Sequence, residues 1–330
     1  MAVIANFTAV EQALAPFLGS KVQVTGASRV AGGDINEAYH LSLSDGTHIF
    51  MKANSGKEES FFAAEAEGLR AIAKTGAIGT PKVFCCGGDG NGNSFLLMEY
   101  SKGRALGNGY WETFAQQLAA MHKAPTESFL GSKKPQQQNP VPVHWEPGSP
   151  AMEGSLPASP QERGTYGFWQ DNYIGASSQV NTVHGSWAGF FRDCRLKPQF
   201  RWASSYFDRN MGKKIGRLLG RTGEILPEPE YPSLLHGDLW SGNVIAGNDG
   251  KAWLIDPAVS VGHREADLAM TELFGGFPPR FYGAYQEAAP LQPGYGERRD
   301  FYNLYHLLNH LNLFGSAYLP SVKRIIEKYA

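Results

Sequence analysis

The stretch of sequence that decides the fold is His236-Gly237-Asp238-Leu239-Trp240-Ser241-Gly242-Asn243. The apolar pair Leu234-Leu235 precedes it, so we expect a buried strand to deliver Asp238 into a loop. Asn243 follows five residues later, a spacing over which a loop can turn both side chains towards one point. The sequence therefore predicts that an acid and an amide meet at the end of a strand.

A second aspartate strengthens this prediction. Asp256 follows the apolar run Trp253-Leu254-Ile255, so another buried strand would end at it. Either aspartate alone is commonly a turn residue. Together, two carboxylates and an amide offer the hard oxygen ligands that suit Mg²⁺. Such a site is typical of phosphoryl transfer, which requires charge neutralisation and an aligned acceptor oxygen.

Lys52 is the next candidate, because it ends the apolar run Ile49-Phe50-Met51. Glu65 lies thirteen residues further on a predicted helix and could pair with it, which would hold the lysine against nucleotide phosphates. A lysine at the end of a strand is more often simply solvated. Glu65 is preferred because it lies at the margin of the apolar helix face. Three other glutamates compete for the same role: Glu58, Glu59 and Glu67.

Two weaker signals complete the pattern. Gly32-Gly33 lies between predicted strands, where paired glycines let the backbone approach a phosphate closely. A pair of glycines at such a position more often forms a simple hairpin turn. Met98-Glu99-Tyr100 ends a later strand and could present backbone groups to an adenine. Neither signal is specific on its own.

The predicted elements give an α+β fold with two parts. Residues 1–100 predict a small antiparallel sheet of five strands with one helix, at 58–74. Residues 101–330 are mainly helical, apart from two short strands flanking a loop at 234–256 and a Pro/Gln-rich insert near 130–165. The predicted strands are 21–30, 38–44, 47–53, 83–87 and 95–100, and the later helices are 111–123, 266–274, 279–287, 297–314 and 320–328.

Composition narrows the function further. The chain of 330 residues is 42% hydrophobic, and its net charge of −1 gives no overall attraction to nucleic acid or acidic membranes. The three cysteines, Cys85, Cys86 and Cys194, do not form a disulfide framework. No stretch is long and apolar enough for a membrane span. We expect a cytoplasmic protein, with organellar targeting left open, and a monomer rather than a homodimer.

The order of these motifs resembles the aminoglycoside phosphotransferase and choline kinase branch of the protein-kinase-like fold. More narrowly, the chain resembles the fructosamine-3-kinase (ketosamine-3-kinase) family over roughly residues 20–330. The motifs that carry the narrower resemblance are 33–36 (Gly-Asp-Ile-Asn), 236–243, 256–258 (Asp-Pro-Ala), 265–269, 274–278 and 307–310.

This resemblance implies a two-lobed kinase that uses ATP and Mg²⁺ to phosphorylate the 3-hydroxyl of a small-molecule or protein-bound ketosamine. It implies that Asp238 accepts the hydroxyl proton, that Asn243 and Asp256 hold Mg²⁺, and that Trp240 stands beside the sugar. Asp267 would brace the catalytic loop. Two alternatives remain open at this point: a kinase of the same fold acting on an aminoglycoside or choline-like alcohol, and a non-catalytic nucleotide-binding scaffold.

The resemblance also implies roles for the first lobe, residues 1–100. Lys52, oriented by Glu65, would bind the phosphates, and the backbone around Gly32 and Gly33 would cover them. The segment Met98-Glu99-Tyr100 would form the hinge that holds adenine.

Overall fold

The computed structural model describes residues 6–30, 36–57, 59–103, 106–131 and 165–330. The paired glycines Gly32 and Gly33 lie outside the described residues, as does most of the predicted insert (132–164). Described elements of the first part are α1 (Thr8–Leu18), β1 (Val24–Val30), β2 (Glu37–Leu43), β3 (His48–Ser55), α2 (Glu59–Lys74), β4 (Val83–Gly88) and β5 (Asn93–Glu99).

The five strands form one antiparallel sheet in the order β1-β2-β3-β5-β4, which confirms the predicted five-stranded sheet. The expectation of a single helix is wrong, because α1 also packs on the sheet. Its apolar pattern is weak: only Val10 and Leu14 are buried, and Pro16 interrupts the last turn.

The alternation of side chains in β3 decides where Lys52 points. Met51 faces the apolar cluster that α1 covers, together with Leu41 and Leu97. Side chains alternate along a strand, so Lys52 points to the other face, which α2 covers. Phe62 and Leu69 of α2 are buried on that face. The sheet therefore presents Lys52 to the helix that carries Glu65.

The second part of the chain is mainly helical, as predicted. Its described elements are α3 (Tyr110–His122), β6 (Asn172–Ile174), β7 (Ser177–Gln179), α4 (Trp187–Phe190), α5 (Lys197–Trp202), α6 (Arg209–Gly220), α7 (Thr222–Ile225), β8 (Ser233–Leu235), β9 (Val244–Ala246), β10 (Ala252–Leu254), β11 (Ser260–Gly262), α8 (Glu265–Leu273), α9 (Pro279–Ala288), α10 (Tyr295–Phe314) and α11 (Leu319–Tyr329). A π-helical turn, Phe191–Leu196, joins α4 to α5.

The five predicted helices of this part are confirmed, with ends shifted by one or two residues, as helix ends commonly are. The expectation of two strands within 234–256 is incomplete. Strand β8 pairs with β11, and β9 pairs with β10, so the region forms two short antiparallel ribbons. Each strand has three residues, too few for alternation to reveal the pairing.

Helix α10 forms the centre of the main core. Phe301, Leu304, Leu308 and Leu311 lie along one face of this helix and are all fully buried. Burying each such side chain contributes about 1.5–3 kcal/mol. Among the described residues, no helix has both the length and the apolar character needed to cross a bilayer.

Candidate active site

Asp267, on α8, fixes the start of the loop that follows β8. Its Oδ2 accepts a hydrogen bond from the His236 amide at 2.7 Å, and its Oδ1 accepts one from the Gly237 amide at 2.8 Å. His122 Nε2 lies 3.1 Å from Oδ2. Burial by itself raises the pKa of Asp267, but its hydrogen bond with His122 and those from backbone amides lower the pKa overall. Asp267 is therefore a buried carboxylate that holds the loop backbone.

Gly237 is required where the loop turns. Its φ of +82° lies in the left-handed region, and a Cβ added there would lie 2.0 Å from the Ala258 carbonyl oxygen. The Ala258 amide donates to the His236 carbonyl at 2.8 Å. The loop after β8 therefore packs directly against the loop after β10, and this packing places Asp238 close to Asp256.

Asp238 and Asn243 are in direct contact. Asn243 Nδ2 donates to the Asp238 backbone carbonyl at 2.9 Å and to Asp238 Oδ2 at 3.1 Å. Burial, followed by the charge of Asp256, raises the pKa of Asp238 to about 7, although the bond from Asn243 acts in the opposite direction. A carboxyl group with a pKa near neutrality is suited to general base catalysis.

Asp256 follows β10 in an unusual conformation. Its φ of +56° makes it the only non-glycine residue with positive φ within the described ranges. Aspartate tolerates this region better than most residues. The preceding amide, of Ile255, donates to the Asn243 carbonyl at 3.1 Å, and Asp256 Oδ1 accepts a hydrogen bond from Lys52 Nζ.

Lys52 bridges two carboxylates. Its Nζ lies 2.7 Å from Glu65 Oε1 and also pairs with Asp256, while the residue is only 7% exposed. Burial by itself lowers the pKa of Lys52, but the charges of Asp256 and Glu65 outweigh it and raise the pKa. Burial also raises the pKa of Glu65, an effect that Lys52 partly offsets. The amine is therefore firmly charged.

The competing glutamates lie elsewhere. Glu67 pairs with Arg70 at 2.7 Å on the exposed side of α2. Glu59 lies beside Gly88, where an added Cβ would be 2.5 Å from its Oε1. Glu58 is outside the described residues. Among the described candidates, the structure thus joins Glu65 to Lys52.

The donor set fits a divalent cation. Asp238, Asp256 and Glu65 carry more negative charge, when ionised, than Lys52 can balance, so a cation would restore neutrality. Asn243 directs its Nδ2 towards Asp238, and its amide oxygen is a further ligand of the type that Mg²⁺ prefers.

The predicted hinge connects the two parts of the chain. Met98, at the end of β5, is buried against α2. Asn248 Nδ2 donates to Glu99 Oε1 at 3.0 Å and to the Tyr100 carbonyl at 3.2 Å. The Tyr100 ring stacks on His40 with centroids 4.0 Å apart. The sequence reasoning missed Asn248, because Asn-Asp-Gly at 248–250 indicates only a turn.

Trp240 lies beside Asp238 in the same loop. It is 37% exposed, and a Cβ added at Gly242 would lie 2.3 Å from its Cη2, so the ring rests on a glycine. The exposed part of the ring can therefore pack on a ligand.

Comparison with known proteins identifies the family. The family model for fructosamine kinase matches residues 6–141 and 157–330. A probable ketoamine kinase of Synechocystis is 34% identical, over 98% of this chain and 97% of that protein. A chloroplastic protein-ribulosamine 3-kinase of Oryza sativa subsp. indica is also 34% identical, over 94% of this chain and 80% of that protein. This chain belongs to the fructosamine kinase family.

Solved structures agree with this assignment. A structure described as a fructosamine-3-kinase from Thermobifida fusca superposes on this fructosamine kinase with a TM-score of 0.75, at 30% identity, over 97% of this chain and 98% of that one. An aminoglycoside phosphotransferase is only 14% identical but matches with a TM-score of 0.61, which shows a shared fold. The predicted protein-kinase-like fold and the predicted family are both confirmed.

Membership also settles the class of protein. Fructosamine kinases are phosphotransferases that act on a hydroxyl group, so the alternative of a non-catalytic scaffold is set aside.

Proposed function

We propose that this fructosamine kinase transfers the γ-phosphoryl group of ATP to the 3-hydroxyl of a ketosamine, a ribulosamine or fructosamine on lysine or a small amine. The observation that carries the proposal is the meeting of the Lys52–Glu65–Asp256 cluster with Asp238 and Asn243. The names of the ketoamine and ribulosamine kinases at 34% identity support the choice of acceptor.

In this proposal residues 1–100 form the ATP-binding lobe and residues 101–330 bind the acceptor. Lys52, held by Glu65, contacts the phosphates as a fixed positive charge. The sequence predicts that the backbone around Gly32 and Gly33, which lie outside the described residues, would cover the phosphates. Met98, Glu99 and Tyr100 hold the adenine, and Asn248 stabilises their backbone from the second lobe.

Asn243 and Asp256 would hold Mg²⁺. When bound, the ion neutralises charge on the phosphate oxygens. The hydrogen bond from the Ile255 amide to the Asn243 carbonyl holds the backbone segments that carry these two ligands side by side.

Asp238 acts as the base. Its carboxylate accepts the proton of the 3-hydroxyl as that oxygen forms a bond to the γ-phosphorus and the bond to ADP breaks. The exposed ring of Trp240 packs on the sugar and helps to orient the hydroxyl.

The product explains what the reaction would achieve. A phosphate at C3, next to the C2 carbonyl, is a good leaving group. When a proton is lost from C1 to give the C1–C2 enol, the phosphate leaves from C3 and a conjugated imine forms at C1. Water then hydrolyses this imine and releases the free amine together with a 3-deoxy dicarbonyl sugar. The reaction would therefore repair glycated amines, including those on proteins. A cytoplasmic location, a monomeric state and the absence of nucleic acid partners stay predictions from the sequence.

An acceptor panel tests the proposal. ATP consumption is measured for pure protein with Mg²⁺ and ribuloselysine, fructoselysine, an aminoglycoside, choline or unglycated lysine. We expect turnover with one or both ketosamines only. Turnover with only the aminoglycoside or choline would contradict the assigned substrate. A failure to use any of the acceptors in the panel would contradict it too.

A further inference from the structure

The β6–β7 hairpin belongs to none of the motifs that identify the active site. Asn172 of β6 pairs with Gln179 of β7, and Tyr173 pairs with Ser178. Because side chains alternate along a strand, Asn172 and Gln179 share one face and Tyr173 lies on the other. The hairpin can therefore contact two different neighbours at once.

One face of the hairpin holds the loop after Asp256. Gln179 Nε2 donates to the Ala258 carbonyl at 2.9 Å, and Asn172 Nδ2 donates to the Val259 carbonyl at 2.8 Å. Gln179 Nε2 also donates to Asn172 Oδ1 at 2.8 Å. Both side chains are nearly fully buried, so water does not replace these bonds when they are lost.

The other face contacts the helix that carries Glu65. The Tyr173 ring lies 4.8 Å from that of Phe61, one helical turn before Glu65 on α2. The same helix meets the loop directly at Gly68, where an added Cβ would lie 3.0 Å from Pro257 Cγ. The hairpin, α2 and the loop after Asp256 thus form one packed unit.

The hairpin is itself fixed to the core of the second lobe. Tyr305 of α10 donates its hydroxyl to Gln179 Oε1 at 2.7 Å. Asn181 Nδ2 donates to Asn172 Oδ1 at 2.9 Å, and the buried Arg195 donates to Asn181 Oδ1 at 2.8 Å. Since every polar atom of the Gln179 amide group has a partner, the hairpin is a rigid support.

The segment after Asp256 has no freedom to act as a switch. In protein kinases, phosphorylation of a long activation loop and the placement of the glutamate helix control whether the Lys–Glu pair and the metal-binding aspartate come together. Here only residues 257–264 separate Asp256 from Glu265, and all of them are buried. The one hydroxyl residue among them, Ser260, is 2% exposed, so a protein kinase could not reach it in the folded protein.

We propose that the β6–β7 hairpin is a positioning element that keeps both Glu65 and Asp256 in contact with Lys52. The site then stays assembled without any covalent modification. Gln179 and Asn172 position the metal-binding loop, and Tyr173 positions α2. The inference rests on the proposed function, because it treats Asp256 as a metal ligand.

The test compares two buried polar side chains. Gln179→Met removes the amide that holds Ala258, whereas Thr222→Val removes an equally buried hydroxyl, bonded to the Leu219 carbonyl where α6 meets α7. Binding of Mn²⁺ to the protein with a non-hydrolysable ATP analogue is followed by electron paramagnetic resonance, and melting temperature is recorded for each variant. We expect Gln179→Met to weaken Mn²⁺ binding by about tenfold, the scale typical of a group that supports a metal ligand.

Thr222→Val should leave Mn²⁺ binding unchanged even if it lowers the melting temperature as much. Equal Mn²⁺ affinity in folded Gln179→Met and the unmodified protein overturns the inference, as does equal weakening by Thr222→Val. If Gln179→Met does not fold, Tyr305→Phe removes only the hydroxyl that fixes Gln179, and an unchanged affinity there overturns it too. If the unmodified protein does not bind the Mn²⁺–nucleotide complex, the proposed function is contradicted, and the inference that rests on it is contradicted as well.

Discussion

Burial acts in opposite directions on the pKa values of Lys52 and Asp238, at the two ends of the candidate site. Lys52 is paired with two carboxylates, which raise its pKa although burial opposes them. Asp238 has an amide partner, Asn243, but within the described part of the chain no lysine or arginine forms an ion pair with it. Its pKa therefore rises to about 7.

The difference separates two tasks. A lysine between two carboxylates stays charged and stationary, which suits a group that binds phosphate. A carboxyl group that titrates near neutrality can accept a proton during the reaction. Two buried groups thus differ because of their partners: Lys52, paired with two carboxylates, carries a permanent charge, and Asp238, paired with an amide, titrates near neutrality.

Removing the reactive charge should have the largest effect. Asp238→Asn keeps the shape of the loop but cannot accept the hydroxyl proton, so we expect kcat to fall by about 10²–10⁴-fold. ATP affinity, measured by calorimetry, should be almost unchanged. Asp249→Asn, in the exposed β9–β10 turn, is the matched control. Near-normal kcat in Asp238→Asn would exclude Asp238 as the base.

Removing the permanent charge should be the next largest change. Lys52→Met leaves Glu65 and Asp256 repelling each other and removes the phosphate contact, so kcat/KM for ATP should fall by about 10²-fold. Lys251→Met, at an exposed position, serves as the control. Adding Glu65→Gln to Lys52→Met should cost much less than Glu65→Gln alone, because the two residues act as a pair. If the losses in kcat/KM of the two single variants simply add in the double variant, the two residues do not act as a pair.

Trp240→Ala should affect the acceptor rather than the nucleotide. Loss of the exposed ring is expected to raise KM for a ketosamine by about tenfold while KM for ATP stays the same. Trp240→Phe should recover most of the loss. Equal changes in both KM values would place the ring outside the acceptor site.

The smallest predicted effect concerns stability and pH, in protein free of metal and nucleotide. The folded-state pKa of Asp238, about 7, lies above its ordinary value of 3.8, so ionisation costs stability as pH rises through that interval. Asp238→Asn should therefore raise the melting temperature at pH 8 and lose that advantage at pH 4. Asp249→Asn should show no such pH dependence, and a lower melting temperature for Asp238→Asn at pH 8 would contradict the raised pKa.

Sequence identified the parts of the site that short segments create. Asp238 and Asp256 each follow a short apolar run, Asn243 lies five residues after Asp238, and Lys52 and Glu65 lie on adjacent elements, so short spacings brought these residues into consideration. It did not identify α1, whose apolar face is narrow and contains Pro16.

Long-range partners could not be predicted in the same way. Asn248 meets Tyr100 across 148 residues, and Gln179 meets Ala258 across 79. Strands β6 and β7 have three residues each, too short for a periodic signal, and their role depends on packing that only the folded chain shows.

The most direct test of the central claim follows the acceptor itself. A synthetic peptide with one ribulosamine-modified lysine is incubated with ATP, Mg²⁺ and the protein, and its mass is followed over time, with Asp238→Asn in parallel. We predict that the peptide gains one phosphoryl group and then falls to the mass of the unglycated peptide as phosphate is lost and the sugar is released by hydrolysis, and that neither change occurs with Asp238→Asn. ATP hydrolysis with no change in the mass of the peptide would contradict the account.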